Sequence, residues 1–174
     1  IICNRCDENT KMAEYRRSIR AVNRRAQVIF EGKDGKQMIG DEEVVLPYDL
    51  DKDEIILQDE DFGIFYIDAA DNPDKYVGKK IKTKAQVFHP SSYPANTFVP
   101  GRFAMTCCAE DIQFVGFKSY SDKAKDFEDR EWVVVEAEIG KEFYEEFGGE
   151  GPVFHVNSVV KAEPAQDELV YFTY

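Results

Sequence analysis

Between residues 80 and 160 the chain breaks into short apolar runs separated by Pro, Gly and polar clusters, a pattern that leaves room for little besides a small β structure. The clearest run is 80–88, where Ile81, Thr83, Ala85 and Val87 alternate with Lys80, Lys82, Lys84 and Gln86. A period of two places the first set on one face and the second on the other, as in a strand buried on one side. Residues 102–108, 112–120, 132–139 and 153–160 are the next strands expected. Pro90, Pro94 and Pro100 punctuate an irregular stretch before them, and residues 148–152 read as a turn. Residues 121–130 are polar and read as a helical turn, and residues 167–174 as an added edge strand. Five strands with a helical link after the third suit a small Greek-key barrel of the OB-fold type, closed or partly open. A β-sandwich is the rival.

Upstream the signals differ. Met12, Tyr15, Ile19 and Val22 recur at helical spacing, so residues 10–25 read as an amphipathic helix with arginines on its other face. Residues 26–40 read as a hairpin about Asp34 and Gly35. Residues 41–61 read as strand, acidic linker, strand, with apolar runs at 44–46 and 55–57. The acids between Asp49 and Glu54 lack the glycine and spacing of a calcium loop. Residues 61–73 read as a short helix ended by Asn72 and Pro73. The organisation expected is therefore an N-terminal helix, hairpin and acidic linker over 1–60, followed by an OB-like barrel domain over 61–174.

Charge narrows the function classes. The formal net charge is −12 at pH 7, yet residues 11–25 carry six basic side chains against Glu14 alone, which leaves −16 from residue 26 onward. A body of that sign repels phosphate backbones, so nucleic acid is not an expected partner. No run approaches the roughly 18 to 20 apolar residues of a membrane-spanning helix. The basic helical segment either packs its apolar face on the body, lies against an anionic membrane surface, or meets an acidic partner.

Chemistry-bearing residues are few. Cys3 and Cys6 form a C-x-x-C without the preceding strand of a redox motif. Cys107 and Cys108 are adjacent, and neighbours on a regular strand point to opposite faces, so both sulfurs reach one ion only if the chain turns there. Ala109, Glu110 and Asp111 suggest such a turn. Cys107, Cys108, Glu110 and Asp111, with His89 or His155, then form a candidate site for a transition metal, the thiolate and imidazole donors favouring zinc or copper and the carboxylates completing the sphere. Buried small cysteines are the plain alternative, and a disulfide or a thiol redox pair are others. Phe88, Tyr93, Phe98, Phe114 and Phe117 are either core residues or stacking surfaces for an oligosaccharide, peptide or protein partner. There is no Ser-His-Asp order, phosphate-binding glycine loop or H-E-x-x-H, so the chain is expected to be non-enzymatic.

The runs DNPDKYVGKKIKTKAQVF, FVPGRFAMTCCAEDIQFVGF, REWVVVEAEIG and the terminal VYFTY resemble the C-terminal domain of the YcgQ-like bacterial family, over roughly residues 60–174. The most specific element is R-[FY]-x-x-x-C-C-x-x-D, here Arg102, Phe103, Cys107, Cys108 and Asp111. The resemblance implies a domain of unknown activity that follows membrane helices and is encoded beside a predicted permease. A permease partner and a membrane-associated or extracytoplasmic location follow as expectations. Glu110 stands where the family tends to have a small residue. The resemblance assigns no catalytic residue.

Overall fold

A computed structural model describes residues 29–31, 37–39, 46–105, 112–145 and 148–171. The expected helix over 10–25, the Asp34-Gly35 turn, the start of the 44–46 run and all four cysteines lie outside the described residues. The hairpin itself is present as an antiparallel pair, β1 (Ile29–Glu31) with β2 (Gln37–Ile39).

The remaining strands form one mixed sheet: β3 (Glu54–Ile56), β4 (Lys80–Phe88), β5 (Thr97–Met105), β6 (Gln113–Gly116), β7 (Ser119–Tyr120), β8 (Trp132–Tyr144), β9 (Gly149–Lys161) and β10 (Leu169–Tyr171). Pairing runs β4–β8–β9–β7–β5 and returns from β5 to β4. All these contacts are antiparallel except β7 with β9. That circuit is the Greek-key ring expected of an OB-like fold rather than two stacked sheets. It is thin at β7, which gives each neighbour only Ser119 and Tyr120, so the ring is partly open there. β3 and β10 add parallel edges to β4 and β5.

Between β3 and β4 lies α1 (Phe62–Asp71), the expected helix. The Gln58 N–H donates to Asp61 Oδ2 at its start, and the Asn72 N–H donates to the Asp68 carbonyl at its end, just before Pro73. Phe65 and Tyr66 are fully buried against Phe117 and Phe154 of the ring. Each such burial contributes on the order of 2–3 kcal/mol. The residue after α1 that matters most is Tyr76, whose hydroxyl donates to Asp68 at 2.5 Å and meets the Tyr48 hydroxyl at 2.8 Å. Asn72 and Lys75 complete the coordination of the Asp68 carboxylate. Burial pushes both phenols upward in pKa, so Tyr76 stays a donor.

Three boundaries differ from those read in the sequence. β5 begins at Thr97, not at residue 102, and runs through Pro100. Pro100 stands opposite Val87, whose N–H and carbonyl are engaged with Glu131 and Arg130 instead, so nothing there requires the missing donor. The expected strand over 112–120 keeps one register against β5, from Ala104↔Gln113 to Thr97↔Tyr120, but divides into β6 and β7. The break falls opposite Pro100, and the Phe117 carbonyl is satisfied by the Ser119 hydroxyl. The turn expected at 148–152 moves back: Gly149 to Pro152 pair with β8, and Gly148 takes the left-handed conformation at φ +67. The polar stretch 121–130 holds a single 3-10 turn, Ala124–Asp126.

Candidate functional site

The phenylalanines of the ring divide into two populations. Phe98, Phe117 and Phe154 are buried in the main core with Phe65. Phe88 and Phe114, with Tyr93, are half-buried and pack on Val99 in a second, separate cluster outside the ring. Phe103 continues it: ring centroids are 5.6 Å apart between Phe88 and Phe114, and 5.2 Å between Phe114 and Phe103, both edge-on. The face therefore crosses the end of β4, the middle of β5 and β6, and the loop carrying Tyr93. Glycine makes this possible. A Cβ on Gly101 would stand 2.3 Å from the Val115 carbonyl and 2.7 Å from the Phe114 ring, so only glycine lets Phe114 lie across β5.

Each end of this aromatic row carries a cation. At one end Lys118 Nζ lies 5.9 Å from the centre of the Tyr93 ring and 5.1 Å from that of Tyr120. It is neutralised: Glu142 Oε2 is 3.0 Å away and also accepts from the Tyr120 hydroxyl at 2.8 Å. Burial alone lowers the Lys118 pKa, but the bonds to Tyr120 and Glu142 outweigh it and raise the value to about 12. At the other end Arg130 sits over the Phe103 ring at 4.3 Å. Its backbone is the sole left-handed non-glycine position among the described residues, at φ +75.

Arg102, the first residue of the family motif, is buried to 1% exposure. Its guanidinium reaches Asp59 at 3.3 Å and the Asp167 carbonyl, and lies 5.0 Å from the centre of the Trp132 ring. Burial lowers its pKa and Asp59 opposes that shift. Arg102 thus ties β5 to the segment before α1 and to the segment before β10. Its role is architectural.

Of the expected metal ligands, His89 and His155 lie within the described residues; Cys107, Cys108 and Asp111 do not. His89 follows β4 and is held by its backbone N–H to Asp129 at 2.8 Å, by Nδ1 to the same carboxylate at 2.9 Å, and by Nε2 to the Ala124 carbonyl at 2.9 Å. A metal at His89 has to displace one of these oxygens. His89 also lies beside Phe98, near the start of β5. His155 is exposed and stacks on Tyr120 at 5.9 Å. No group of three or more His, Cys, Asp or Glu among the described residues is arranged to hold a metal. No described helix is long and apolar enough to cross a membrane.

The sequence leaves Phe88, Tyr93, Phe98, Phe114 and Phe117 open between core and stacking surface; Phe98 and Phe117 are core, while Phe88, Tyr93 and Phe114 lie in the second cluster, and neither Arg130 nor the Lys118–Glu142 pair is singled out. Alternation within β5 could have separated Phe98 from Phe103. No local signal marks Arg130.

No curated protein matches the chain. Residues 35–172 match the family described as the DUF1980 C-terminal domain. With the match covering most of the sequence and the R-F-x-x-x-C-C-x-x-D segment inside it, the chain belongs to this family of domains of unknown function.

Proposed function

We propose that this protein is a non-enzymatic, ligand-binding accessory domain of a membrane permease system, and that it binds on its outer aromatic face. The observation that supports this is the second cluster itself. Phe88, Phe103 and Phe114 stay half-buried outside a core that is already complete with Phe65, Phe98, Phe117 and Phe154. Aromatic area left at a partly open barrel surface, flanked by the β4–β5 loop, is where folds of this type take ligands. The permease association rests on the family resemblance. The Cys107, Cys108 and Asp111 segment joins β5 to β6 in sequence, and zinc held there belongs to the same reading.

A thermal-shift screen of neutral, anionic and cationic aromatic solutes tests the binding role, because a ligand that binds only the native state raises its melting temperature. The expected result is a shift for one solute class that Phe114→Ser abolishes. No shift with any class, or an equal shift in Phe114→Ser, overturns the assignment of the face. Elemental mass spectrometry on natively purified protein and on a Cys107→Ser, Cys108→Ser double variant tests the metal component. Near-stoichiometric zinc lost in the variant supports it, and no metal in either removes it.

A further inference from the structure

Arg130 is the cation described on the outer aromatic face beside Phe103. Asp129 and Glu131 flank it in sequence, yet Asp129 is taken by His89 and Glu131 by Lys161. Among the described residues no ion pair includes Arg130; its guanidinium lies instead on the Phe103 ring. Lys118, at the opposite end of the aromatic row, is already neutralised by Glu142.

The loop that carries Arg130 is fixed from both sides. The Arg130 N–H donates to the Val87 carbonyl at 2.8 Å, the Val87 N–H to the Glu131 carbonyl at 3.0 Å, and the His89 N–H to Asp129. These bonds hold a non-glycine residue at φ +75, a conformation that side chains rarely adopt and that persists only where surroundings enforce it. Strain of this kind at an exposed arginine, with its side chain aimed along an aromatic face, marks a placed group. A guanidinium stacked on a ring keeps its in-plane N–H fork free for a carboxylate.

From this geometry we infer that Arg130 is the anion-contacting residue of the aromatic face, and that the ligand class is a small organic acid: a carboxylate joined to an apolar or aromatic group. The inference rests on the binding role proposed for that face. The apolar part of such a ligand meets Phe103 and Phe114 while its carboxylate takes the Arg130 fork. The net negative charge of the chain from residue 26 onward makes the contact selective, since an anion lacking an apolar anchor is repelled.

Amide chemical-shift titration of the 174-residue chain with phenylacetate and with its neutral counterpart 2-phenylethanol tests it, read at Phe103, Phe114 and Val115. Phenylacetate is expected to bind about tenfold more tightly than the alcohol, the order of one charge-assisted bidentate contact. Arg130→Gly, which suits the backbone conformation, is expected to erase that preference, so that acid and alcohol bind alike. Arg130→Lys is expected to keep part of it. Equal affinities in the unmodified protein, or a preference that survives Arg130→Gly, overturn the role of Arg130 and leave the face intact as a binding surface. Shifts with neither probe remove the inference together with the binding role.

Discussion

Phe98 and Phe103 stand on the same strand and have opposite fates. Phe98 points into the ring and is fully buried with Phe117, Phe154 and Phe65, whereas Phe103 joins Phe114 and Phe88 on the outside and keeps part of its surface in water. The two arginines near that strand repeat the division. Arg102 is sealed under Asp59, the Asp167 carbonyl and Trp132, while Arg130 is exposed on Phe103. Identical side chains therefore serve two purposes here. Those inside are buried and set the fold; those outside are held in place yet left available.

That division can be broken or sharpened by substitution. The largest effect is expected for Phe154→Ala, which opens a cavity between α1 and the ring and costs about 4 kcal/mol, against about 1 kcal/mol for Phe114→Ala on the outer face. Urea denaturation at constant m-value measures both, and equal losses would erase the distinction. Arg102→Ala follows, at about 3 kcal/mol, since it leaves the Asp59 carboxylate without its buried partner and removes packing on Trp132. Gly101→Ala drives a methyl into the Val115 carbonyl and is expected to cost about 2 kcal/mol and to displace Phe114, visible as a changed ring shift.

Smaller effects come from the polar ends of the row. Burial raises the Glu142 pKa, but Lys118 and Tyr120 more than offset it, so the net shift is downward. A carboxylate depressed in the folded state adds stability that is complete above its ordinary pKa and is lost as pH falls through the folded value. Glu142→Gln is thus expected to cost less than about 1 kcal/mol at neutral pH and to flatten the acid limb of the stability profile below about pH 4.5. Arg130→Gly is expected to leave stability within about 0.5 kcal/mol of the parent, because relief of the left-handed backbone offsets the lost ring contact. A loss as large as that of Arg102→Ala would make Arg130 architectural too.

The sequence made the ring legible because its cause is local. The alternation of Ile81, Thr83, Ala85 and Val87 and the apolar run from Trp132 predict strands, and the ring follows from their number and spacing. The Asn72-Pro73 stop likewise predicts where α1 ends. Pro100 misled the reading of β5, since a proline inside a strand is tolerated only where its partner's hydrogen bonds point elsewhere, and that depends on pairing between distant residues. The outer face is half legible for the same reason: Phe88 and Phe114 stand beside Phe98 and Phe117 as candidates for core or stacking surface, and only the strand register tells inside from outside. Arg130 was not legible at all. Its conformation is imposed by Val87 and His89, which lie some forty residues away in sequence.

The central claim is that the outer phenylalanines, not the inner ones, meet the ligand. A spectrum of the protein carrying labelled phenylalanine rings reports all 13 at once. On titration with 2-phenylethanol and phenylacetate, the signals of Phe88, Phe103 and Phe114 are expected to move while those of Phe65, Phe98, Phe117 and Phe154 stay fixed. Movement confined to the inner set, or none in the outer set with either compound, would contradict the account.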